Sequence, residues 1–430
     1  MTMTDKFSTT AYKRSRWIYA MQCTFEYLIN LIITGAFFSK LAKHIGMSDS
    51  LTGIILSISS LAFMFQILSI PLVGRLKSLK TITLIFNSLA QFIHVSVFLT
   101  PFFDVSQKTK EILIIVGIVL SYFSIYLVSG MLFKWGNSFV EPHKRGVFSA
   151  IKEMISLGCG AVYSLVVGFV FDAFESAGQI EKGFTLILII GFSISIINLI
   201  CLLLIKKDEP QNNKATNPKT KDIVENTIKN KNFRHVLILQ LLWDVGRCAT
   251  VGFLATYRTN DLLISVGIIE IMNVLGQIAR LLVSQPFGKY SDRKSFAKGM
   301  KLGLGIAAAG YAIVVFTMPQ TWFFIAIYGI LNSIAFAGIN ANSFNVTYSY
   351  VKEEYIVQAM AIKNSIGGIA GFITALLAGK FLAFYQQNSL FLFGIKIYGQ
   401  QILALFSAIV IGLAAFYIHK VIEKQKVLHQ

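Results

Sequence analysis

The chain of 430 residues is 55% hydrophobic and only 14% charged, and its mean hydropathy is +0.64. Soluble globular proteins carry about 25% charged residues, so this composition excludes a water-soluble globular fold. The four cysteines form no CxxC pair, which indicates neither a zinc site nor a disulfide framework. We therefore expect a membrane protein that holds no metal and no cofactor.

Twelve apolar segments follow one another along the chain, and each is long enough to cross about 30 Å of hydrocarbon. Lipid offers no hydrogen-bond partner for backbone N–H and C=O groups, so these segments are expected to be helices. The predicted fold class is an all-α polytopic membrane protein. We number the segments as spans 1 to 12, which cover residues 17–39, 50–73, 81–103, 111–136, 146–171, 183–205, 233–256, 262–287, 299–318, 321–348, 357–384 and 395–419.

Lysine and arginine residues are distributed unevenly over the loops between the spans. If the N-terminus is cytoplasmic, and Arg234, Lys301 and Lys396 at span ends are counted with the adjoining loops, 26 of the 39 basic residues fall on the cytoplasmic side, seven in outer loops and six inside spans. An excess of basic residues marks the cytoplasmic side of a membrane protein. The count therefore predicts a protein of the cell membrane with both termini in the cytoplasm. It also accounts for the net charge of +18 without a nucleic-acid partner.

The sequence divides once, at a polar segment over residues 206–232 that holds two prolines and seven lysines. We interpret this segment as a flexible cytoplasmic linker between two six-helix halves, residues 1–205 and 233–430. The halves repeat each other: AIKEMI at 150–155 returns as AIKNSI at 361–366, an offset of 211. Gly160 and Gly168 match Gly371 and Gly379 at the same offset. These matches indicate parallel internal repeats.

Two further stretches carry a family resemblance. Residues 285–294 read QPFGKYSDRK after span 8, and residues 141–157 read EPHKRGVFSAIKEMISL at the start of span 5. Together with twelve spans in two halves, they resemble the major facilitator superfamily, whose members carry many solute classes by alternating access. In the loop after span 8, the resemblance rests on Gly288, Asp292, Arg293 and Lys294. The equivalent loop of the first half matches more weakly, with Gly74, Arg75 and Lys80 but Ser78 in place of the aspartate. At the start of span 5, the matching residues are Arg145 and Gly146.

The resemblance implies a cytoplasmic gate. Gly288 is expected to let the chain leave span 8 in a tight turn. Asp292 is expected to lie against the start of span 5, near Arg145, where free N–H groups favour a carboxylate; the alternative is a solvated basic loop that only sets topology. Lys152 and Glu153 lie about two turns into span 5, and Lys363 lies at the equivalent place in span 11, so we add these three residues to the gate. The predicted gate residues are Gly74, Arg75, Arg145, Lys152, Glu153, Gly288, Asp292, Arg293 and Lys363.

Polar side chains recur at helical spacing inside the spans, where each charge costs at least about 2.5 kcal/mol. Such stripes cannot face lipid, so we expect them to face a water-filled path between the halves. The alternative is that they join helices by hydrogen bonds. The predicted substrate-binding residues are Gln22, Asn30, Gln240, Arg247, Asn273, Gln277, Arg280, Asn332 and Asn340.

Three carboxylates inside spans are candidates for proton coupling: Glu26, Asp244 and Glu270. A carboxylate that alternates between wet and dry surroundings can bind and release a proton. Arg247 lies three residues after Asp244 on the same helix face, so it is expected to hold Asp244 ionised. Glu26 and Glu270 have no adjacent basic residue in sequence.

These features predict a secondary active transporter, because the chain has no phosphate-binding loop for ATP and no enzyme site stands out. We expect a monomer that moves a small polar or anionic solute by symport with protons or Na⁺. Arg247 and Arg280 favour a solute with a carboxylate or phosphate group. The alternatives are a proton-coupled efflux antiporter for drugs or metabolites and, more remotely, a transporter-like membrane sensor.

Topology can be tested by cysteine labelling in whole cells. A cysteine at Lys219→Cys in the linker should react with a membrane-impermeant maleimide only after the cells are opened, because the linker is expected to be cytoplasmic. A cysteine at Lys108→Cys, in the outer loop before span 4, serves as the control and should react in intact cells. Labelling of Lys219→Cys from outside would refute the predicted orientation.

Overall fold

The computed structural model describes residues 9–65, 79–141, 145–206, 225–352, 355–387, 391–392 and 395–425. We number its main helices α1 to α12 to match the predicted spans. They are α1 Thr10–Ile33, α2 Asp49–Leu56, α3 Leu79–Ser96, α4 Gln107–Asn137, α5 Arg145–Ser176, α6 Ile180–Leu204, α7 Lys231–Cys248, α8 Val266–Lys294, α9 Phe296–Val314, α10 Phe323–Tyr348, α11 Ile356–Gln387 and α12 Gly399–Lys420.

Shorter helical turns extend or connect these helices. Gly35–His44 continues α1, and Ile58–Ala62 and Phe63–Phe65 continue α2. The other turns are Val97–Phe102 after α3, Val251–Phe253, Leu254–Thr256 and Tyr257–Asp261 after α7, Pro319–Thr321 before α10, and Ile422–Lys424 after α12. Strands β1 Phe391–Leu392 and β2 Ile395–Lys396 form a small antiparallel hairpin before α12, with Phe391 opposite Lys396.

The predicted fold class is confirmed. Within the described residues, ten helices are long and apolar enough to cross a membrane. The two other predicted spans are also helical. α9 carries Lys298 and Lys301 near its start, which lower its hydropathy, and the described part of span 2 is a shorter apolar helix because residues 66–78 lie outside the description.

Two predicted helix boundaries are wrong. α8 does not turn at Gly288 but continues through it to Lys294. The chain turns at Ser295, directly after the end of α8. The Ser295 hydroxyl accepts a hydrogen bond from Lys298 N at 3.2 Å and caps α9. Span 12 was expected to begin at 395, but 395–396 form β2, and the helix begins at Gly399, where Gln401 accepts a hydrogen bond from Tyr398 N at 2.8 Å. In both places a polar side chain supplies the helix cap.

The chain forms two compact units. Unit 1 comprises the described residues of Met1–Ser48, Phe65–Asn213 and Ser265–Glu270, and unit 2 those of Asp49–Met64, Lys214–Ile264 and Ile271–Gln430. The units differ from the predicted halves in two places. α2, which belongs to the first half, is part of unit 2, and the first turn of α8, which belongs to the second half, is part of unit 1. The division at 206–232 remains a prediction, and residues 207–224 of that linker lie outside the described part of the chain.

Each unit has its own buried core. In unit 1, Trp135 is fully buried, and its indole Nε1 donates to the Lys206 carbonyl at 3.0 Å. In unit 2, the fully buried rings of Tyr311 and Tyr328 lie 5.1 Å apart. Because lipid is as apolar as the side chains, close packing rather than exclusion from water holds such cores together.

The repeated glycines mark equivalent helix contacts in the two units. In unit 1, a Cβ at Gly168 of α5 would lie 3.3 Å from the Cα of Gly267 in α8. In unit 2, a Cβ at Gly379 of α11 would collide with Ile54 of α2. The absence of a side chain thus permits close helix crossings at both sites, which explains why glycine recurs at the offset of 211.

Both crossings lie next to an aspartate at a helix end. In unit 1, the Asp172 carboxylate accepts hydrogen bonds from Val266 N at 2.9 Å and Gly267 N at 2.7 Å, which are the first two residues of α8. In unit 2, Asp49 accepts from Asn260 Nδ2 at 2.6 Å and from Gln386 Nε2 at 3.0 Å. Asp172 therefore caps a helix to which it does not belong and ties α5 to the start of α8.

Replacing Asp172 tests the energetic value of this cap. Asp172→Asn keeps the shape of the side chain but removes its charge and one of the two acceptor oxygens. We expect a loss of about 1–2 kcal/mol in the free energy of unfolding, seen as a decrease of about 2–4 °C in Tm for the purified protein. Asp104→Asn, at an exposed carboxylate in the same unit, is the control and should leave Tm unchanged. Equal Tm values for the two variants would contradict a capping role.

Candidate functional site

A polar cavity of about 390 Å³ lies in unit 1 among α1, α3 and α4. Such a volume falls within the range of ordinary small-molecule sites, about 300–1,000 Å³. Its lining is unusual for the inside of a membrane span, because amides, tyrosines, an imidazole and a carboxylate share it. The lining residues are Tyr19, Cys23, Glu26, Tyr27, Asn30, Asn87, Gln91, His94, Tyr122, Ile125, Tyr126, Ser129, Leu132 and Phe133.

A chain of side-chain hydrogen bonds fixes Glu26 in this cavity. Glu26 Oε2 accepts from Gln22 Nε2 at 2.8 Å, one turn earlier on α1, and from Asn87 Nδ2 at 3.0 Å on α3. Asn87 Oδ1 in turn accepts from Asn198 Nδ2 on α6 at 3.0 Å. Gln22, Asn87 and Asn198 are all buried. Among the described residues, the donors to the carboxylate are therefore neutral amides, and both donate to the same oxygen.

Two further polar side chains on α3 follow Asn87 on the same face. Gln91 and His94 are each 1% exposed, and both line the cavity. Among the described residues, neither end of the Gln91 amide has a hydrogen-bond partner, and neither does His94 Nε2. The His94 ring makes an edge contact with Tyr122, with centroids 4.9 Å apart. Buried polar atoms normally have partners, so these groups are available to a bound molecule.

Unit 2 contains a second polar cavity of about 270 Å³, lined by α7, α10, α11 and the end of the α2 segment. Asp244 lies on its wall, accepts a hydrogen bond from Gln240 Nε2 at 2.6 Å, and has Arg247 Nη2 at 3.6 Å. The Arg247 guanidinium also reaches Ser60 Oγ at 3.5 Å. Arg247 is thus paired with a carboxylate of its own helix.

The two cavities share one structural motif. In α1 and in α7, a glutamine amide donates to a carboxylate four residues later: Gln22 to Glu26 and Gln240 to Asp244. These are the first helices of the two repeated halves. The second partner differs, because Glu26 receives the neutral Asn87 amide whereas Asp244 has the cationic Arg247. The repeat therefore places two carboxylates in similar frames and gives them different charge environments.

The structure distributes the predicted substrate-binding residues over several places. Asn30 lines the unit 1 cavity, Gln22 supports Glu26, and Gln240, Arg247 and Asn340 line the unit 2 cavity. The four others line neither of these two cavities: Asn273, Gln277, Arg280 and Asn332. Glu270 is buried at the α5–α8 crossing, where a Cβ at Gly168 would lie 3.3 Å from its Cγ.

The predicted gate residues are only partly described. Gly74 and Arg75 lie outside the described residues, as does the side chain of Arg145. Gly288, Asp292 and Arg293 lie in the last turns of α8, where Asp292 and Arg293 are exposed. They adjoin a cavity of about 490 Å³ in unit 2 that is lined by Asp292, Arg293 and Glu423, among others. The contact of Asp292 with the start of span 5 remains a prediction.

The gate lysines have protein partners. Lys363 is 2% exposed, and its ammonium donates to Ser343 Oγ at 2.9 Å and to Thr347 Oγ1 at 3.2 Å, both on α10. Lys152 Nζ lies 3.5 Å from the hydroxyl of Tyr19, which lines the unit 1 cavity. Glu153, its neighbour in sequence, is exposed. The gate role of these residues remains a prediction.

Sequence analysis missed Asn87, Gln91, Asn198 and the tyrosines of the unit 1 cavity. A signal for part of the set was present, because Thr83, Asn87, Gln91 and His94 recur every three or four residues in span 3 and so share one helix face. The repetition of a glutamine four residues before a carboxylate in spans 1 and 7 was a second signal. No comparable pattern distinguishes the tyrosines from ordinary core residues.

Several solved transporter structures resemble this fold. The nucleoside transporter NupG has a TM-score of 0.69 at 14% identity, with 97% of this chain and 100% of that chain covered. An auto-inhibited peptide transporter of the POT family scores 0.70 at 10% identity, covering 97% and 98%. The xylose transporter XylE from E. coli scores 0.68 at 11% identity, covering 94% and 95%. No curated protein matches the sequence closely enough to count as a relative.

The fold is that of a polytopic membrane protein with polar side chains in cavities between its helices. The model of the Major Facilitator Superfamily matches residues 20–257 and 236–426, so the chain belongs to this superfamily. The resemblance seen in the sequence motifs is thereby confirmed. A protein of this fold is located in a cell membrane and moves a small-molecule solute.

The Asp244–Arg247 pair can be tested by a double-mutant cycle. Removal of either partner leaves a largely buried charge, so Asp244→Asn and Arg247→Gln should each lower the free energy of unfolding by up to about 3 kcal/mol. The double variant should lose less than the sum of the two, with a coupling of about 1–3 kcal/mol in chemical or thermal unfolding.

The Lys40–Glu175 pair of unit 1, with Nζ 2.7 Å from Oε1, is a more exposed control. Its coupling should be about 1 kcal/mol or less. Additive effects of Asp244→Asn and Arg247→Gln would show that the two charges do not stabilise each other.

Proposed function

We propose that the protein is a proton-coupled symporter that takes up a small polar solute by alternating access, with Glu26 as the residue that binds and releases the proton. The observation that supports this is the setting of Glu26. Its carboxylate lines a cavity, two neutral amides donate to one oxygen, and no lysine or arginine belongs to the described lining. Among the described residues, nothing donates a hydrogen bond to Oε1, so this oxygen can take a proton.

The other two candidates suit proton coupling less well. Asp244 already has a charge partner, the Arg247 guanidinium 3.6 Å away. Glu270 is buried at a helix crossing and lines neither polar cavity. Glu26, by contrast, lines its cavity, and no lysine or arginine is among the described residues of that lining.

The positions of the two arginines support a polar, uncharged solute rather than an anionic one. Arg247 is occupied by Asp244, and Arg280 lines neither cavity. Among similar folds, one structure is a D-xylose–proton symporter and another a nucleoside transporter, whose named solutes are uncharged. We keep the cytoplasmic termini and the monomeric state as part of this proposal. Efflux by proton antiport is the alternative that the test below separates.

Neutralising Glu26 should uncouple transport. In proteoliposomes with an inward proton gradient, the wild type should accumulate at least one labelled probe among uridine, D-xylose and dialanine. Glu26→Gln should abolish accumulation against the gradient yet retain exchange of labelled for unlabelled probe, because the amide keeps the shape of the side chain and cannot carry the proton. The measurement is the ratio of internal to external probe at steady state.

Glu181→Gln, at an exposed carboxylate at the start of α6, is the matched control and should accumulate probe like the wild type. If Glu26→Gln also concentrates the probe, Glu26 is not the coupling residue. If an inward proton gradient expels the probe from preloaded vesicles, the protein is an antiporter.

A further inference from the structure

The unit 1 cavity also restricts the kind of solute it can hold, and this inference rests on the proposed function. The first restriction is charge. Glu26 is the charged side chain of the described lining; Lys152, whose Nζ lies 3.5 Å from the Tyr19 hydroxyl, is not part of that lining. An anion moved from water into this cavity would lose its hydration, and the described lining offers no lysine or arginine to pair with it. The cavity is therefore suited to neutral solutes.

The second restriction comes from Gln91. Its amide offers a donor and an acceptor about 2 Å apart on one planar group, and neither has a partner among the described residues. The side chain is 1% exposed, so this pair of groups is directed into protein and cavity rather than to lipid. A primary amide binds most strongly to a molecule that presents an acceptor and a donor on neighbouring atoms.

The third restriction is the aromatic lining. Tyr19, Tyr27, Tyr122 and Tyr126 line the cavity together with His94. The Tyr122 ring lies 4.9 Å from the His94 ring and 6.2 Å from the Tyr126 ring. Aromatic faces favour flat or ring-shaped partners, and tyrosine hydroxyls add polar contacts. The cavity volume of about 390 Å³ limits the partner to one or two rings.

We propose that this cavity binds a neutral ring solute with a hydrogen-bond donor and acceptor on adjacent atoms, and that Gln91 pairs with both. Two kinds of molecule share this chemistry: a ring with a lactam edge, as in a pyrimidine nucleoside, and a sugar with neighbouring hydroxyls. Gln91 lies one helical turn from Asn87, which holds Glu26. The solute is thus bound beside the proton site, which couples the two.

Binding to the purified protein in detergent tests this without any transport step. Calorimetric titration should compare each neutral probe with its anionic counterpart: uridine with uridine 5′-monophosphate, and D-xylose with D-xylonate. At least one neutral probe should bind, and at least tenfold more tightly than its counterpart. N3-methyluridine, which lacks the lactam donor, should bind about tenfold more weakly than uridine if the lactam edge is recognised. Binding of D-xylose alone would identify the sugar as the source.

Gln91→Leu removes both hydrogen-bonding groups at similar volume and should weaken binding of the neutral probe by about tenfold or more. Gln91→Glu, which in its ionised form retains only acceptors, should also weaken it when binding is measured at a pH where this carboxylate is ionised, and it guards against misfolding of the leucine variant. Gln179→Leu, at an exposed glutamine before α6, is the control and should bind like the wild type. Monodisperse elution of each variant confirms folding.

Tighter binding of an anion than of its neutral counterpart, no binding of either neutral probe, or unchanged affinity in both Gln91 variants would overturn the inference. These results are separable from those on proton coupling. If Gln91→Leu loses binding while Glu26→Gln still accumulates probe, the coupling proposal fails and the solute class stands. If Glu26→Gln abolishes accumulation but the protein binds anions more tightly than neutral probes, the coupling proposal stands and the inference about the solute class fails.

Discussion

Lipid can neither donate nor accept a hydrogen bond, so every polar side chain inside a span must find a protein partner or line a cavity. This constraint organises the interior of the protein. Asn198, Asn87 and Gln22 form a chain that ends on Glu26, and Lys363 is satisfied by hydroxyls of α10. Gln91 and His94, whose amide and Nε2 have no partner among the described residues, border a cavity. The candidate site is thus one place where the internal network of hydrogen bonds is left incomplete.

The internal repeat places equivalent residues in the two halves, and divergence within it gives those residues different partners. The first helix of each half carries a glutamine that donates to a carboxylate one turn later. Arg247 then lies 3.6 Å from Asp244, whereas among the described residues the donors to Glu26 are amides. The two carboxylates are therefore equivalent by position and different by partner. The same repeat explains the paired glycines, which allow α5 and α11 to cross their neighbours closely.

Much of the fold was predictable because hydropathy and helical length are properties of the sequence alone. The motif at 285–294 indicated the family. Its local structure was predicted wrongly, because α8 continues through Gly288 and the chain turns only at Ser295, which caps α9. Glu26, Asp244 and Arg247 could be found as charges at membrane depth. Gln91 could not be ranked above other amides, because its lack of partners depends on what α1, α4 and α6 place around it. Glu270 and Arg280 are charged residues at membrane depth as well, yet they line neither cavity, so this property alone does not identify a site residue.

The central claim is that Glu26 carries the proton that moves with the solute. It is tested most directly by recording the pH of a lightly buffered suspension of de-energised cells when uridine or D-xylose is added. The account predicts alkalinisation of the medium as protons enter with the solute, and no alkalinisation with Glu26→Gln although the probe still equilibrates across the membrane. Acidification, no pH change with the wild type during measurable uptake, or equal alkalinisation with Glu26→Gln would contradict it.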